Sequence, residues 1–363
     1  MIFTGTLFRY FLRRHLMTIF WFLVGVTGLI YLVDFIEISS RRGDIPGFTL
    51  ADSLYLTLIR VPSILQQTLP FVMLFAGITT LVTLNRKQEM VVTRAAGISV
   101  WQFMAPFITG AILVGLVGLF VLNPLAAAGM RTATMIENNL KASKQLGRKD
   151  ETIPWLRQIT ADDDVIVGGA RVSADGTTIE DAVFIHFGPE SRIVLRQDAR
   201  QAKLKDGYWE LNDVTETRPG QIPAVLKTVQ VRTNLKREFV QERLARPETV
   251  AFLDIPSKIE AARSFGVSTF TLESQYHSLM SMPFLLVAMT LISATVSLKF
   301  SRFNQSQSMI FGGIVSGFVL YVITVLIKAF GSSGVVPPFV AAWIPVVVAM
   351  FLGSTILLHQ EDG

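Results

Sequence analysis

The feature that most constrains this chain is a polar central block with three long apolar segments on either side. The block runs from about residue 126 to residue 270 and holds most of the charged side chains. Apolar runs of about 18 or more residues with few charges are candidates for membrane-spanning helices. In the whole chain 50% of the residues are hydrophobic and only 17% are charged. The sequence therefore predicts an integral membrane protein with a water-exposed domain inserted between two helical halves.

The first helical half is predicted over residues 1–125 and the second over residues 271–363. The predicted spans are 16–36, 61–84 and 101–122 in the first half, and 278–298, 309–330 and 338–358 in the second. The first apolar run is longer than the roughly 7–15 residues of a secretory signal core, and no convincing cleavage site follows it. We therefore interpret it as an uncleaved span, which makes six spans with the polar block between the third and the fourth.

Basic residues in the short loops predict the orientation of the chain. On one side of the membrane they precede span one or follow spans two and four: Arg9, Arg13, Arg14, Arg86, Lys87, Arg94, Lys299 and Arg302. The short loops of the other side carry Arg41 and Arg42, close to the acidic Glu37 and Asp44. The positive-inside rule then places both termini in the cytoplasm and the central block outside it. Such loops also explain the high pI, so we expect no nucleic acid partner.

The central block has the pattern of short strands separated by turns. A long strand is predicted from Arg192 to Leu204, Asp206-Gly207 makes a turn, and strands follow at 208–211 and 225–233. Turn signals recur at about ten-residue spacing, which favours an all-β sandwich, a jelly roll or an open barrel. Since the chain has no cysteine, the domain must be stabilised by its apolar core alone.

The sequence lacks the motifs of several enzyme classes. It has no G-x-x-x-x-G-K-[ST] loop for ATP, and no pair of histidines stands at metal-ligand spacing. The four histidines are scattered: His15, His186, His277 and His359. Asp162-Asp163-Asp164 lacks the Gly and Glu spacing of an EF-hand loop, so we interpret it as a polar turn. These observations favour transport over catalysis, and no metal or cofactor is expected on this chain.

Residues 86–97, between spans two and three, carry the sharpest local signal. Their three-to-four-residue spacing of apolar and basic side chains predicts a short helix, which Gly97 is suited to end. An exposed acid at Glu89 beside the mixed face of Met90, Val91 and Ala95 would suit docking into a groove of a soluble partner. The basic residues alone would equally suit a loop that only sets topology. The pattern leaves both interpretations open. The candidate coupling residues are Arg86, Glu89, Met90, Val91, Arg94 and Gly97.

Five cations lie near the outer ends of the spans: Arg41, Arg42, Arg60, Arg131 and Lys328. Each one alone could be a side chain that reaches the membrane interface. As a group they could surround a cavity for an anionic head group, because Arg binds phosphate in a bidentate manner. Asp34 and Glu37 are possible partners for these cations. Gly313 and Gly317 have the spacing of close helix packing, a common pattern of low specificity.

The order of these features resembles the lipopolysaccharide export permeases of the LptF/LptG family over nearly the whole chain. The matching segments are Arg9-Tyr10 before span one, Leu32-Val33-Asp34 at its end, the run EMVVTRAAGIS at 89–99, DGYWEL at 206–211 and SGFVLY at 316–321. Asp34 favours the LptG branch of the family over the LptF branch.

The resemblance implies a non-catalytic permease subunit of an ABC transporter in the bacterial inner membrane. It would extract lipopolysaccharide from the outer leaflet and pass it to a periplasmic β-jellyroll bridge, of which the inserted domain is part. The implied partners are an LptF-like permease in a heterodimer, two copies of an LptB-like ATPase that use ATP and Mg²⁺, and an LptC-like bridge protein. Residues 86–97 would be the coupling helix, with Glu89 at the acidic position of the family.

The resemblance also implies a cavity with lateral gates at spans one and five. Its gate and cavity residues would be Tyr31, Asp34, Phe71, Gly313, Gly317 and Tyr321. Basic residues would contact lipid A phosphates, and Arg131 matches one such family position. The family often carries lysines where this chain has Tyr31, Glu37 and Ile38, so its head-group contacts are expected to differ.

Three alternatives remain open from the sequence. The chain could be the LptF-type subunit, or the permease of another lipid or lipoprotein exporter. It could also be a membrane-anchored sensor whose outer domain binds a ligand, although its short cytoplasmic loops contain no output domain.

Overall fold

The structure is a computed structural model that describes residues 5–42, 48–145, 156–159, 164–169, 171–172, 178–188, 192–205, 207–233, 247–264, 268–297 and 307–362. The chain divides into two compact units. Residues Met1–Ala133 and Pro247–Gly363 form the helical unit, and Thr134–Arg246 form the strand unit. Several residues used in the sequence predictions lie outside the described residues: Asp44, Asp162, Asp163, Asp206, Lys299, Arg302 and the side chain of Arg42.

Nine α-helices occur in the described residues: α1 (Gly5–Arg42), α2 (Leu50–Arg86), α3 (Glu89–Ala95), α4 (Val100–Val117), α5 (Asn123–Gln145), α6 (Ile255–Ser264), α7 (Phe270–Ser297), α8 (Gln307–Ser332) and α9 (Pro338–Asp362). A π-helical turn, Gly118–Leu122, joins α4 to α5. In the described part of the chain six segments are long and apolar enough to cross a membrane, which confirms the predicted number: 5–41, 50–86, 100–137, 270–297, 311–332 and 338–359.

Helix α2 begins well before the apolar stretch that predicted it. The Thr49 hydroxyl accepts a hydrogen bond from the backbone N–H of Asp52, and the Asp52 carboxylate accepts one from the backbone N–H of Thr49. This capping box satisfies two backbone donors that the first turn of a helix leaves without partners. The helix then continues through Pro62 and Pro70. Hydropathy detects the apolar part of a helix, whereas the cap determines where the helix starts.

The core of the helical unit lies between α2, α4 and α7. Its fully buried side chains include Met73 and Leu74 of α2, Phe107 of α4, and Leu286 and Met289 of α7. The buried fraction of the most apolar 18 residues differs between the helices. This fraction is 72% in α7 and 61% in α2, but only 17% in α8 and 6% in α1. Helices α1 and α8 therefore lie at the periphery, with apolar side chains that the rest of this chain leaves uncovered.

The described residues of the strand unit form one antiparallel sheet of seven strands: β1 (Leu156–Ile159), β2 (Asp164–Gly168), β3 (Arg171–Val172), β4 (Thr178–Phe187), β5 (Ile193–Lys205), β6 (Tyr208–Thr217) and β7 (Ala224–Arg232). The order is β1-β2-β4-β5-β6-β7, with β3 also paired to β4. Lys205 pairs with Tyr208 around the predicted turn, where Gly207 has a φ of +86° that favours glycine. The predicted strands before and after this turn are confirmed.

Alternate residues of the central strands form the core of the sheet. Phe184 of β4 and Trp209 of β6 are fully buried and meet edge to face, with ring centroids 6.0 Å apart. Ala202, Leu211 and Val214 pack in the same cluster. The period of two puts Trp209 and Leu211 of β6 on one face, and Val214 rejoins this face after Asp213, whose φ of +54° interrupts the alternation. The predicted β structure is confirmed as an antiparallel sheet, whereas its exact placement between spans three and four and its jelly-roll closure stay predictions.

Candidate functional site

Helix α3 is bounded by two residues in the left-handed conformation. Gln88 before it has a φ of +62°, and Gly97 after it has a φ of +81°. The backbone N–H of Gly97 donates to the carbonyl of Arg94, and that of Ile98 donates to the carbonyl of Thr93. These positions let the chain leave α2, make two turns of helix and enter α4. The short helix lies at Glu89–Ala95, within the predicted range 86–97, and Gly97 stands two residues after its end.

The two faces of α3 differ from the expected ones. Met90 is 1% exposed and packs in the core of the helical unit, so the expectation that it lies on the exposed face is wrong. Val92 is 68% exposed instead. Ala95, Ala96 and Gly97 are exposed with it, and we call these four residues the α3 surface. The spacing of Val92, Ala95 and Ala96, three and four residues apart, was the signal that could have identified this surface.

The carboxylate of Glu89 is not the free exposed acid that the sequence suggested. Its Oε1 accepts a hydrogen bond from Nη1 of Arg14 at 2.8 Å, and its Oε2 accepts one from the hydroxyl of Tyr10 at 3.1 Å. Glu89 is half-buried by this contact. The first turns of α1 supply both donors, and a local sequence pattern cannot show that two segments so distant in the chain meet.

The remaining coupling residues lie around the α3 surface. Arg86 is exposed in the last turn of α2, while Val91 and Arg94 are half-buried. The side-chain amide of Asn85 donates to the carbonyl of Ser297 at 3.2 Å, so the C-terminal ends of α2 and α7 meet here. We call this the α3 end of the helical unit, and the other end the distal end.

An ion pair joins α1 to α2 at the distal end. Nη2 of Arg60 lies 3.5 Å from Oδ1 of Asp34, whose side chain is almost completely buried. Arg60 is itself mostly covered. The structure thus brings together two of the predicted site residues, one assigned to the head-group contacts and one to the gate.

The other described cations of the predicted head-group set also have partners within the chain. Arg41 pairs with Glu37 at 3.2 Å on the exposed last turns of α1. Arg131 and Lys328 instead donate to neutral oxygens, the carbonyl of Thr249 at 3.1 Å and the side-chain amide of Gln275 at 2.8 Å. A neutral acceptor orients a cation through a hydrogen bond without forming an ion pair with it.

Two predicted gate residues touch each other. The rings of Phe71 on α2 and Tyr321 on α8 lie 4.6 Å apart, and Phe318 extends the contact. Gly313 and Gly317 allow α8 to approach its neighbours, because a Cβ at these positions would meet Val296 of α7 and Leu74 of α2 respectively. Tyr31 lies half-buried on α1, one turn before Asp34.

Sequence reasoning missed a polar anchor beside the π-helical turn. The side chain of Asn123 accepts from the backbone N–H of Phe252 at 2.7 Å and donates to Gln66 at 3.4 Å. The ring of Phe252 stacks on Tyr276 with centroids 5.2 Å apart and planes 5° apart. The segment around Phe252 thus contacts α5 through Asn123 and α7 through Tyr276, and Asn123 in turn contacts α2 through Gln66. A lone Asn after an apolar span gives no sequence signal for such a contact.

The geometry offers an exposed helix surface at one end and oriented cations at the other. Across the described residues, no group of three or more His, Asp or Glu side chains could hold a metal ion. Comparison with curated proteins found no significant match. A family model described as "Lipopolysaccharide export system permease LptF/LptG" matches residues 9–359. The chain therefore belongs to the LptF/LptG family of lipopolysaccharide export permeases.

Proposed function

We propose that this chain is the LptG-type permease subunit of the transporter that extracts lipopolysaccharide from the outer leaflet of the inner membrane. The observation that carries the proposal is the family match over residues 9–359, which includes both helical halves and the strand unit. Asp34 at the end of α1 supports the LptG branch, and the LptF-type subunit is the alternative.

The α3 surface is the proposed docking site for the ATPase. Val92 presents an apolar side chain to solvent, and the small Ala95, Ala96 and Gly97 beside it let a partner approach closely. A short helix that inserts such a face into a groove is a common mode of recognition. Met90 anchors the helix from inside. The separate ATPase would bind ATP and Mg²⁺, and this chain would bind no cofactor.

The uncovered faces of α1 and α8 are the proposed gates and contacts with the LptF-type permease. Large apolar side chains remain exposed along both helices, such as Leu29 and Ile36 on α1 and Phe311 and Phe318 on α8. In a membrane only lipid or another apolar helix can cover such faces. A second permease on these faces would enclose a cavity between the two chains, and one gate would receive the helix of the LptC-like protein.

The distal end is the proposed site of the lipopolysaccharide head group. Arg131 and Lys328 donate to neutral acceptors and not to carboxylates, so they are the preferred phosphate ligands, together with Arg41 and Arg42 at the end of α1. Arg60 is neutralised by Asp34 and serves mainly to join α1 to α2. Each buried CH₂ of the acyl chains contributes about 0.8 kcal/mol, so extraction requires work from ATP.

The proposed orientation follows the distribution of basic loop residues. Arg9, Arg13, Arg86 and Lys87 are all at the α3 end, which would face the cytoplasm with both termini. The distal end and the strand unit would face the periplasm. There the sheet would form a β-jellyroll and begin the bridge shared with the LptC-like protein.

Co-purification tests this function directly. The tagged chain, co-expressed with an LptF-type permease and the ATPase, should retain both proteins and a phosphorylated glycolipid. Replacing Arg131 and Lys328 together by Gln should lower crosslinking to lipopolysaccharide, whereas Arg218→Gln on the sheet should not. Recovery of a different lipid would instead support another exporter.

A pairing experiment tests the choice of subunit. An LptG-type chain should form a stable heterodimer with an LptF-type permease and not with an LptG-type permease. The opposite preference would make this chain the LptF-type subunit.

A further inference from the structure

Tyr10, Arg14 and Glu89 form a closed network of hydrogen bonds between α1 and α3. Besides its bond to Glu89, Nη1 of Arg14 donates to the hydroxyl of Tyr10 at 3.0 Å. The guanidinium carbon lies 6.0 Å from the centroid of the Tyr10 ring. Tyr10 and Arg14 are four residues apart, so they lie on one face of α1. Two donors on one helix therefore hold one carboxylate of another helix.

We propose that Tyr10 and Arg14 are positioning residues that fasten the coupling helix α3 to the start of α1, so that a displacement of α3 is transmitted along α1. The proposal rests on the proposed function, in which a docked ATPase moves α3. It adds a mechanical route from that movement to the distal end of the gate helix.

The start of α1 is suited to receive such a displacement. Phe11 is buried and meets Phe103 of α4 edge to face at 5.1 Å. His15 is fully buried, meets Phe107 at 5.1 Å and lies 3.4 Å from the hydroxyl of Thr80 on α2. The start of α1 is thus held by polar contacts with α3 and by packed aromatic contacts with α4. At this end α1 cannot rotate independently of its neighbours.

The rest of α1 is suited to carry the displacement. The helix runs for 38 residues without proline, which corresponds to about 57 Å at 1.5 Å per residue. Little of its apolar stretch is buried within this chain. A displacement at the α3 end can therefore pass along this loosely packed stretch to the far end of α1, where Asp34 contacts Arg60.

The hydrogen bonds of this network are strong enough to couple α1 to α3, and they leave Glu89 able to contact a docked ATPase as well. The side chains of Arg14 and Glu89 are 21% and 27% exposed, so water screens their attraction less than on an open surface. Hydrogen bonds between charged groups are stronger than neutral ones. Each carboxylate oxygen has a further lone pair, so Glu89 can also accept a hydrogen bond from a docked ATPase. Glu89→Lys alone would abolish both contacts and cannot separate them.

The experiment uses the complex of this chain with its partner permease and the ATPase. The chain has no cysteine, so spin labels can be introduced at single positions. One pair, Arg9→Cys with Lys87→Cys, measures the distance between α1 and α3. A second pair, Ser40→Cys with Val335→Cys, measures the ATP-dependent movement at the distal end. Both pairs use exposed positions.

Five variants are compared in both labelled backgrounds, and one of them, Glu89→Arg alone, reverses the charge of the acid without the exchange at Arg14. Arg14→Gln removes the charged donor, and Tyr10→Phe removes only a hydroxyl. Arg13→Gln is the matched control, because it removes the same charge from the exposed neighbouring position. The charge exchange Arg14→Glu with Glu89→Arg restores an ion pair in the reverse sense.

We expect Arg14→Gln to retain the bound ATPase. It should lower both the ATP-dependent shift at the distal end and lipopolysaccharide transport about fivefold to tenfold, as expected for the loss of a charge-assisted hydrogen bond. Tyr10→Phe should have a smaller effect in the same direction, and Arg13→Gln should behave as the unmodified chain. The charge exchange should recover most of the lost shift.

Two results would overturn the proposal. One is an Arg14→Gln complex whose distal shift and transport equal those of Arg13→Gln. The other is a charge exchange that behaves like Glu89→Arg alone, because Glu89 would then act only on the ATPase. Failure of the proposed function would give a different result, because the unmodified chain would then bind no ATPase. Arg14→Gln would still broaden the distribution of distances between positions 9 and 87.

Discussion

Asp34 and Arg60 form an ion pair between α1 and α2 in which Oδ1 and Nη2 are 3.5 Å apart and the acid is 6% exposed. The pair lies in a segment where an isolated charge is costly, so each partner stabilises the other. Two residues that the sequence assigned to separate roles, gate and head-group contact, thus act together in joining the peripheral helix α1 to the core of the unit.

Arg60→Gln should therefore destabilise the protein by about 1–3 kcal/mol, because it leaves the Asp34 carboxylate buried without its cation. The double variant Arg60→Gln with Asp34→Asn should recover part of this loss. The midpoint of thermal unfolding in detergent measures both. Arg41→Gln, which breaks an exposed pair with Glu37, is the control and should change stability by less than about 1 kcal/mol. Equal effects of Arg60→Gln and Arg41→Gln would contradict a structural role for the buried pair.

Gly317→Val should weaken the packing of α8 by about 1–3 kcal/mol, because its side chain would collide with Leu74, which is completely buried. Gly312→Val on the same helix is the matched control. A Cβ at Gly312 meets nothing within 4 Å, so this substitution should leave stability nearly unchanged. Thermal unfolding of the two purified variants makes the comparison. If both variants unfold at the same temperature, α8 does not depend on its close approach to α2.

Val92→Asp should reduce ATPase binding by about tenfold or more, because burying a valine contributes about 1.5 kcal/mol and a buried unpaired acid costs further free energy. The amount of ATPase recovered with the tagged chain provides the measurement. Val335→Asp introduces the same change at an exposed valine of the distal end and should leave recovery unchanged. Normal recovery with Val92→Asp would exclude the α3 surface as the docking site.

Trp209→Ala should destabilise the sheet by about 3–5 kcal/mol, because it leaves a cavity against Phe184 in the centre of the core. Hydrogen exchange followed by mass spectrometry should show faster exchange in β4, β5 and β6. Exchange in α2 and α7 should not change, since the strand unit is a separate compact unit. Val225→Ala, at a position 81% exposed on β7, should leave the exchange of all strands unaltered. Faster exchange in the helices would indicate that the two units do not unfold independently.

Periodicity along the chain was sufficient to predict the long helices and the strands around Gly207, but it did not predict the short strands β1 and β3. Six apolar runs predicted six long helices, and alternation with turn residues predicted the strands around Gly207. These signals are local, since hydropathy and side-chain period act within one element. The boundaries differed where a cap, such as Thr49 with Asp52, determined the start of a helix.

The sequence by itself therefore determined the class of the protein, the number of spans, the β character of the polar block and the position of the short helix α3. Only the tertiary structure decided which of the predicted site residues are available to a partner. In the structure Met90 is buried and Val92 is exposed. Asp34 forms an ion pair with Arg60, and the Glu89 carboxylate accepts hydrogen bonds from Tyr10 and Arg14. These outcomes depend on contacts between helices far apart in the chain, and the free energy of such a contact is a property of the pair, which neither local segment carries alone.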